Sequence, residues 1–83
     1  MQLKNIFTDE SYRLWRNDWR REYKTVSSII REMKNSIRSL QKQGIRTGQL
    51  QCDLTWRQKE AREMMEQLEE AKEYRRRIFQ AAA

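Results

Sequence analysis

A long heptad pattern of apolar residues constrains the fold of this chain more than any other feature. One heptad position holds Tyr12, Trp19, Val26, Met33 and Leu40, and a second holds Tyr23, Ile30 and Ile37. Apolar spacings of three and four residues match the turn of an α-helix, whereas a strand would place them at every second residue. A seam of this length indicates a helix that packs lengthwise against another helix.

The length and residue types limit how such a helix can be stabilised. The chain has 83 residues, which is enough for one small domain with a limited core. Cys52 is the only cysteine and histidine is absent, so an internal disulfide and the common structural zinc sites are excluded. Helix packing, oligomerisation or a larger assembly must therefore supply the stability.

The rest of the composition also favours helices. Proline is absent and glycine occurs only twice, while Glu, Gln, Lys, Arg, Met and Leu are abundant. This usage is typical of long-helix and coiled-coil proteins. We therefore predict an all-α fold that forms a single domain over residues 1–83.

The two glycines predict where the chain turns. Thr8 suits the N-cap of a first helix over about 9–43, preceded by a short lead at residues 1–7. Gly44 suits the position after the last turn, and 44–48 reads as the only turn. A second helix over about 48–80 starts either after Thr47 or at a capping box at Thr55. The predicted fold is a long antiparallel two-helix hairpin, coiled-coil-like, which could dimerise into a four-helix bundle.

Folding the chain about Arg46 predicts the register between the two helices. Val26 then meets Met64 and Leu68, Trp19 and Tyr23 meet Ala71, and Arg75 lies near the indoles of Trp15 and Trp19. A block of glutamates in the second helix is expected opposite cations of the first helix, and these charges would help select the register. The block is Glu60, Glu63, Glu66, Glu69, Glu70 and Glu73, and the cations are Arg16, Arg20, Arg21, Lys24 and Arg31.

The charge balance bears on the partner and the location of the protein. Lys and Arg number 18 and Asp and Glu 12, so the net charge of +6 favours nucleic acid or an acidic protein surface. No apolar run is long enough for a signal peptide or a membrane span. The lone cysteine fits the cytoplasm or another reducing intracellular compartment.

The candidate partner-binding residues are arginines near the predicted open end of the hairpin, opposite the turn, and apolar residues outside the seam, one of which is Trp56. Arginines neutralise phosphates and aromatics are enriched at interfaces, although seam spacing alone explains Tyr12, Trp19 and Tyr23 as core. Trp15 is expected outside the strict seam, and the arginines could equally be a solvated helix end. The candidates are Arg13, Leu14, Trp15, Arg16, Arg20, Arg21, Trp56, Tyr74, Arg75, Arg76, Arg77 and Phe79.

These features favour a binding protein over an enzyme. We find no catalytic, cofactor-binding or metal-binding motif, and expect no cofactor and no small-molecule substrate. The leading hypothesis is a small basic accessory or structural subunit of an RNA–protein or other large assembly. The alternatives are an adaptor or inhibitor that acts on an acidic protein surface and a homo-oligomeric coiled-coil scaffold.

Overall fold

The computed structural model describes residues 8–82, so the predicted lead at residues 1–7 lies outside the described residues. Two helices, α1 (Asp9–Lys42) and α2 (Gly48–Ala82), form an extended hairpin of 61 × 16 × 16 Å. The prediction of an all-α hairpin is therefore confirmed. Dimerisation into a four-helix bundle stays a prediction.

The start of α1 follows from Thr8. This residue is extended, with φ −98° and ψ 160°, and its hydroxyl accepts a hydrogen bond from the Ser11 amide at 3.0 Å. The bond satisfies one of the amides that the first turn leaves without an intrahelical partner. Asp9 and Glu10 add negative charge at the positive end of the helix dipole.

Gly44 ends α1 in the way that its position predicted. Its φ of +75° is left-handed, a conformation that glycine adopts without the steric cost of a Cβ atom. The Gly44 amide donates to the Gln41 carbonyl and the Ile45 amide to the Leu40 carbonyl, both at 3.0 Å. These two bonds make a Schellman motif, which satisfies carbonyls that the helix end would otherwise leave exposed.

Thr47 marks the start of α2. Its carbonyl accepts from the Gln51 amide at 2.9 Å, so α2 begins at Gly48 and the alternative start at Thr55 is wrong. Its hydroxyl accepts from the side-chain amides of Gln51 and Gln41, at 2.9 and 3.3 Å. Thr47 is 6% exposed, and through Gln41 it ties the end of α1 to the start of α2.

The core is concentrated in the open half of the hairpin. Its buried members are Trp15, Trp19, Val26, Met64, Leu68 and Ala71. The Trp19 indole nitrogen donates to the Met64 carbonyl across the seam at 2.8 Å, and the Trp19 ring stacks on Tyr23. The residues that the predicted register brought together therefore occupy one cluster.

Toward the turn the seam is less buried than its spacing predicts. Ile37 is buried, but Met33, Leu40, Leu50 and Leu54 are only half-buried. A helix in a two-helix hairpin has a neighbour on one side only, so seam residues that a third helix would cover keep contact with solvent.

The predicted ion pairs across the seam do not form. In the described part of the chain, no glutamate of α2 makes an ion pair with a cation of α1. Glu66 and Glu73 lie roughly 160–180° around α2 from the buried Met64, at 100° per residue, so they point away from α1. The glutamates pair within α2 instead, as in Lys72–Glu69.

Candidate partner-binding surfaces

Trp15 belongs to the core, and the expectation that it lies outside the seam is wrong. It is only 6% exposed, and its ring lies 6.2 Å from that of Tyr12. Trp15 comes three residues after Tyr12 and four before Trp19, so all three share one face of α1. Its indole nitrogen is buried and has no hydrogen-bond partner among residues 8–82. Tyr74 is half-buried and packs against the same core.

Arg75 is also buried, and it joins the end of α2 to the start of α1. Its side chain is 10% exposed and forms an ion pair with Asp9. Its guanidinium carbon lies 5.1 Å from the centre of the Tyr12 ring and 4.7 Å from that of Phe79. Trp15 and Trp19, the predicted neighbours of Arg75, lie about one and two helical turns after Tyr12, so Arg75 sits closer to the start of α1 than predicted. Arg75 therefore stabilises the open end of the hairpin and is not presented to a partner.

Arg76 and Arg77 are exposed at the same end, but both contact one carboxylate. Arg76 Nη1 lies 2.8 Å from Glu73 Oε2, and Arg77 Nε lies 3.4 Å from Glu73 Oε1. Exposed pairs of this kind are weak and rearrange easily. They nevertheless reduce the positive charge that this end of α2 presents.

The arginines of α1 near the open end differ in their surroundings. Arg13 and Arg20 are exposed and, among the described residues, contact no carboxylate. Arg21 is 4.0 Å from Asp18, with both side chains largely in solvent. Arg16 is half-buried, and its Nη1 donates to the Tyr12 hydroxyl at 3.4 Å.

Exposed apolar candidates lie in two separate places. Leu14 and Phe79 are 54% and 55% exposed near the open end. Trp56 is 70% exposed beside a groove of about 450 Å³ that Ile29 and Met33 also line. Trp56 lies 18 residues before Tyr74, or about 27 Å along α2, so it does not belong to the open-end group.

The two helices differ in charge. The α1 helix carries nine basic and five acidic residues, whereas α2 carries seven of each. The cations of α2 largely have carboxylate neighbours, including Arg57 with Glu60 at 3.0 Å. The excess positive charge of the hairpin therefore lies on α1. The sequence-based choice of residues concentrated on the open end and missed that these cations continue toward the turn.

Within 8–82 there is no group of three or more His, Cys, Asp or Glu residues arranged to hold a metal ion. Neither helix combines the length and apolar character needed to span a bilayer, as judged over the residues that the structure describes.

Comparisons with protein families, with curated proteins and with solved structures find no significant match. The surfaces of the hairpin itself are therefore the guide to its function.

Proposed function

We propose that this protein is a non-enzymatic interaction module that binds nucleic acid, as a small accessory or structural subunit of an RNA–protein assembly. We further propose that it works in a reducing intracellular compartment, since Cys52 is an exposed free thiol. The helices supply a rigid rod, and the charges on its surface would supply the affinity.

This proposal rests on the uneven charge of the two helices. The cations of α2 are balanced by an equal number of carboxylates, while α1 has four more basic than acidic residues (9 − 5). Exposed arginines of α1 such as Arg13 and Arg20 form no ion pair with a carboxylate in the described part of the chain. Cations that no protein group neutralises are the ones available to phosphates.

The affinity would come mainly from the release of counterions. Each phosphate that a lysine or arginine neutralises frees condensed cations from the nucleic acid, and this entropy gain dominates binding that does not depend on sequence. With Trp15 and Trp19 buried in the core, base stacking on these rings would require the hairpin to open. Backbone contacts are therefore the proposed mode.

The first test is the absorbance ratio at 260 and 280 nm of freshly purified protein, before and after nuclease treatment. We expect co-purified nucleic acid that nuclease and high salt remove. A clean ratio, combined with no binding of mixed cellular RNA in a mobility-shift assay at low salt, would refute the proposal. Binding of poly-glutamate but not RNA would favour the alternative, an adaptor or inhibitor that acts on an acidic protein surface.

A second candidate function is self-association, and the exposure of Trp56 favours it. The groove beside Trp56 has both acidic and basic residues at its edge, including Asp53 and Arg57. A mixed edge can complement itself in a two-fold pair of identical chains. Sedimentation equilibrium tests this candidate: the wild type should dimerise, and Trp56→Ser should be monomeric with an unchanged helical content. A monomeric wild type at high protein concentration would rule it out.

A further inference from the structure

We propose that six cations of α1 form a straight phosphate-binding stripe that lies along a nucleic-acid duplex and contacts its backbone without stacking on its bases. The inference rests on the proposed function and names the partner more closely. The stripe consists of Arg13, Arg20, Lys24, Arg31, Arg38 and Lys42.

The six residues line up because of their spacing. They follow one another at intervals of seven or four residues, so at 100° per residue all lie within roughly 40° of arc on α1. At 1.5 Å per residue the stripe is about 44 Å long, nearly the whole length of the helix. All six side chains are exposed.

Beyond its first residue, Arg13, which lies one turn from Glu10, the stripe has no acidic residue on its own face of α1. Between Arg13 and Lys42 the acidic residues of α1 are Asp18, Glu22 and Glu32. Each lies about 80° or more around the helix from the edge of the stripe. Among the described residues, none of the six cations makes an ion pair or a side-chain hydrogen bond. This separation distinguishes the stripe from an ordinary solvated helix face, on which charges of both signs alternate.

Repulsion within the stripe also points to an anionic partner. Arg20 and Lys24 are four residues apart, as are Arg38 and Lys42, so two like-charged pairs lie side by side on the free helix. Such pairs destabilise an isolated helix, and an anion between them removes the repulsion. Neighbouring cations are about 6–10 Å apart along the helix axis, which is close to the Debye length at physiological salt. Their electrostatic potentials therefore overlap, and the stripe attracts a polyanion more strongly than isolated cations would.

The residues between the cations suit backbone contacts. Asn17, Ser27 and Asn35 lie on or next to the stripe at roughly 40° from its centre line, and their side chains can donate hydrogen bonds to phosphate or sugar oxygens. No aromatic residue lies among them, so the stripe offers no surface on which an unpaired base could stack. This chemistry favours a duplex over a single strand.

The dimensions also fit a duplex. Double-stranded DNA carries one phosphate per about 1.7 Å of its axis, so a 44-Å length carries roughly 25 phosphates, and those on the side that faces the rod are within reach of the stripe. Six cations along a straight rod then find phosphates in many registers without reading the sequence. The Trp56 groove lies elsewhere, because Ile29 is about 160° around α1 from Arg31.

Two variants of equal net charge test the inference. The stripe variant changes Arg20, Lys24, Arg31 and Arg38 to Gln. The control variant changes Arg46, Lys59, Arg62 and Lys72 to Gln, which removes four exposed cations outside the stripe and outside the candidate partner-binding residues. Glutamine is a good helix former, so circular dichroism should show the same helical content for both.

Binding is measured by fluorescence anisotropy with a labelled RNA duplex of about 20 base pairs, with a DNA duplex of the same sequence and with the single strands. The stripe variant should lose on the order of 100-fold in affinity, and its log–log salt dependence should be shallower by roughly 3–4 than that of the wild type. The control variant should lose no more than a few-fold. For the wild type, both duplexes should bind at least as tightly as the single strands.

The outcomes separate the stripe from the broader function. Equal losses in the two variants, or an unchanged stripe variant, would refute the stripe while leaving nucleic-acid binding in place. Tighter binding of single strands would overturn the duplex partner. A wild type that binds neither duplex nor single strand at low salt would refute the proposed function itself.

Discussion

The two glycines of the turn should respond to alanine in opposite directions. Gly44 has a φ of +75°, whereas Gly48 is the first residue of α2 and has no positive φ. Apart from the adjacent residues and the backbone of the same helix, a Cβ atom added at either position would meet no heavy atom of the described residues within 4 Å. Collisions with neighbouring side chains are thus excluded, and any difference between the two variants reports on backbone conformation alone.

The magnitudes follow from that difference. The left-handed conformation costs an alanine about 1–2 kcal/mol, and the lower entropy of the unfolded chain returns about 0.4–1 kcal/mol. Gly44→Ala should therefore lower the free energy of unfolding by about 1 kcal/mol. Gly48→Ala lowers the entropy of the unfolded chain without a conformational cost in the folded state, and should raise the free energy of unfolding by about 0.5 kcal/mol.

Thermal unfolding followed by circular dichroism at 222 nm measures the two effects. A change of 1 kcal/mol shifts the midpoint of a domain of this size by about 4–8 °C, so the variants should differ by at least about 6 °C. Gly44→Asn should fall between wild type and Gly44→Ala, because asparagine tolerates the left-handed region better. A neutral or stabilising Gly44→Ala would show that the chain does not turn here through a left-handed residue.

Three further predictions concern the core and the open end, and urea unfolding measures each of them. Ala71 has no exposed surface, so Ala71→Leu should overpack the seam and lower the free energy of unfolding by about 1–3 kcal/mol. The same change at the exposed Ala81 is the control and should lower it by less than about 0.5 kcal/mol. Trp19→Phe removes the hydrogen bond to the Met64 carbonyl and part of a buried ring, and should lower the free energy of unfolding by about 1–3 kcal/mol. A loss below about 0.5 kcal/mol would show that this bond does not stabilise the contact between the helices. Arg75→Ala should lower the free energy of unfolding more than Asp9→Asn does. The first change removes the packing of a buried side-chain stem, whereas the second removes only an ion pair whose carboxylate is 82% exposed. Equal losses in the two variants would contradict this.

The sequence predicted the elements of the fold because their signals are local. Thr8 and Gly44 act through the backbone of the adjacent turn, and the heptad spacing from Tyr12 to Leu40 needs only the periodicity of a helix. The ends of the helices were accordingly predicted to within two residues. The pairing of Val26 with the Met64 region also followed, since a short turn fixes the register of an antiparallel pair.

The surroundings of individual side chains were harder to predict. The burial of Trp15 depends on how widely α2 covers the seam, which apolar spacing does not specify. Arg75 reaches Asp9, which lies eight residues, or about two turns, before the position opposite Arg75 when the chain folds about Arg46, and apolar spacing does not specify such a contact. The glutamates of α2 form no ion pairs across the seam because several of them point away from α1. The total charge of each helix does not contain this information about direction. The stripe on α1 could have been found from the intervals of seven and four between its cations.

The salt dependence of duplex binding by the unmodified protein tests the central claim most directly. Fluorescence anisotropy titrations between about 50 and 200 mM salt give the slope of log affinity against log salt concentration. If the six cations of α1 contact phosphates, the slope should be about −5, which is roughly −0.9 for each contact. Absence of binding at the lowest salt, or binding whose affinity stays constant across this range, would contradict the account.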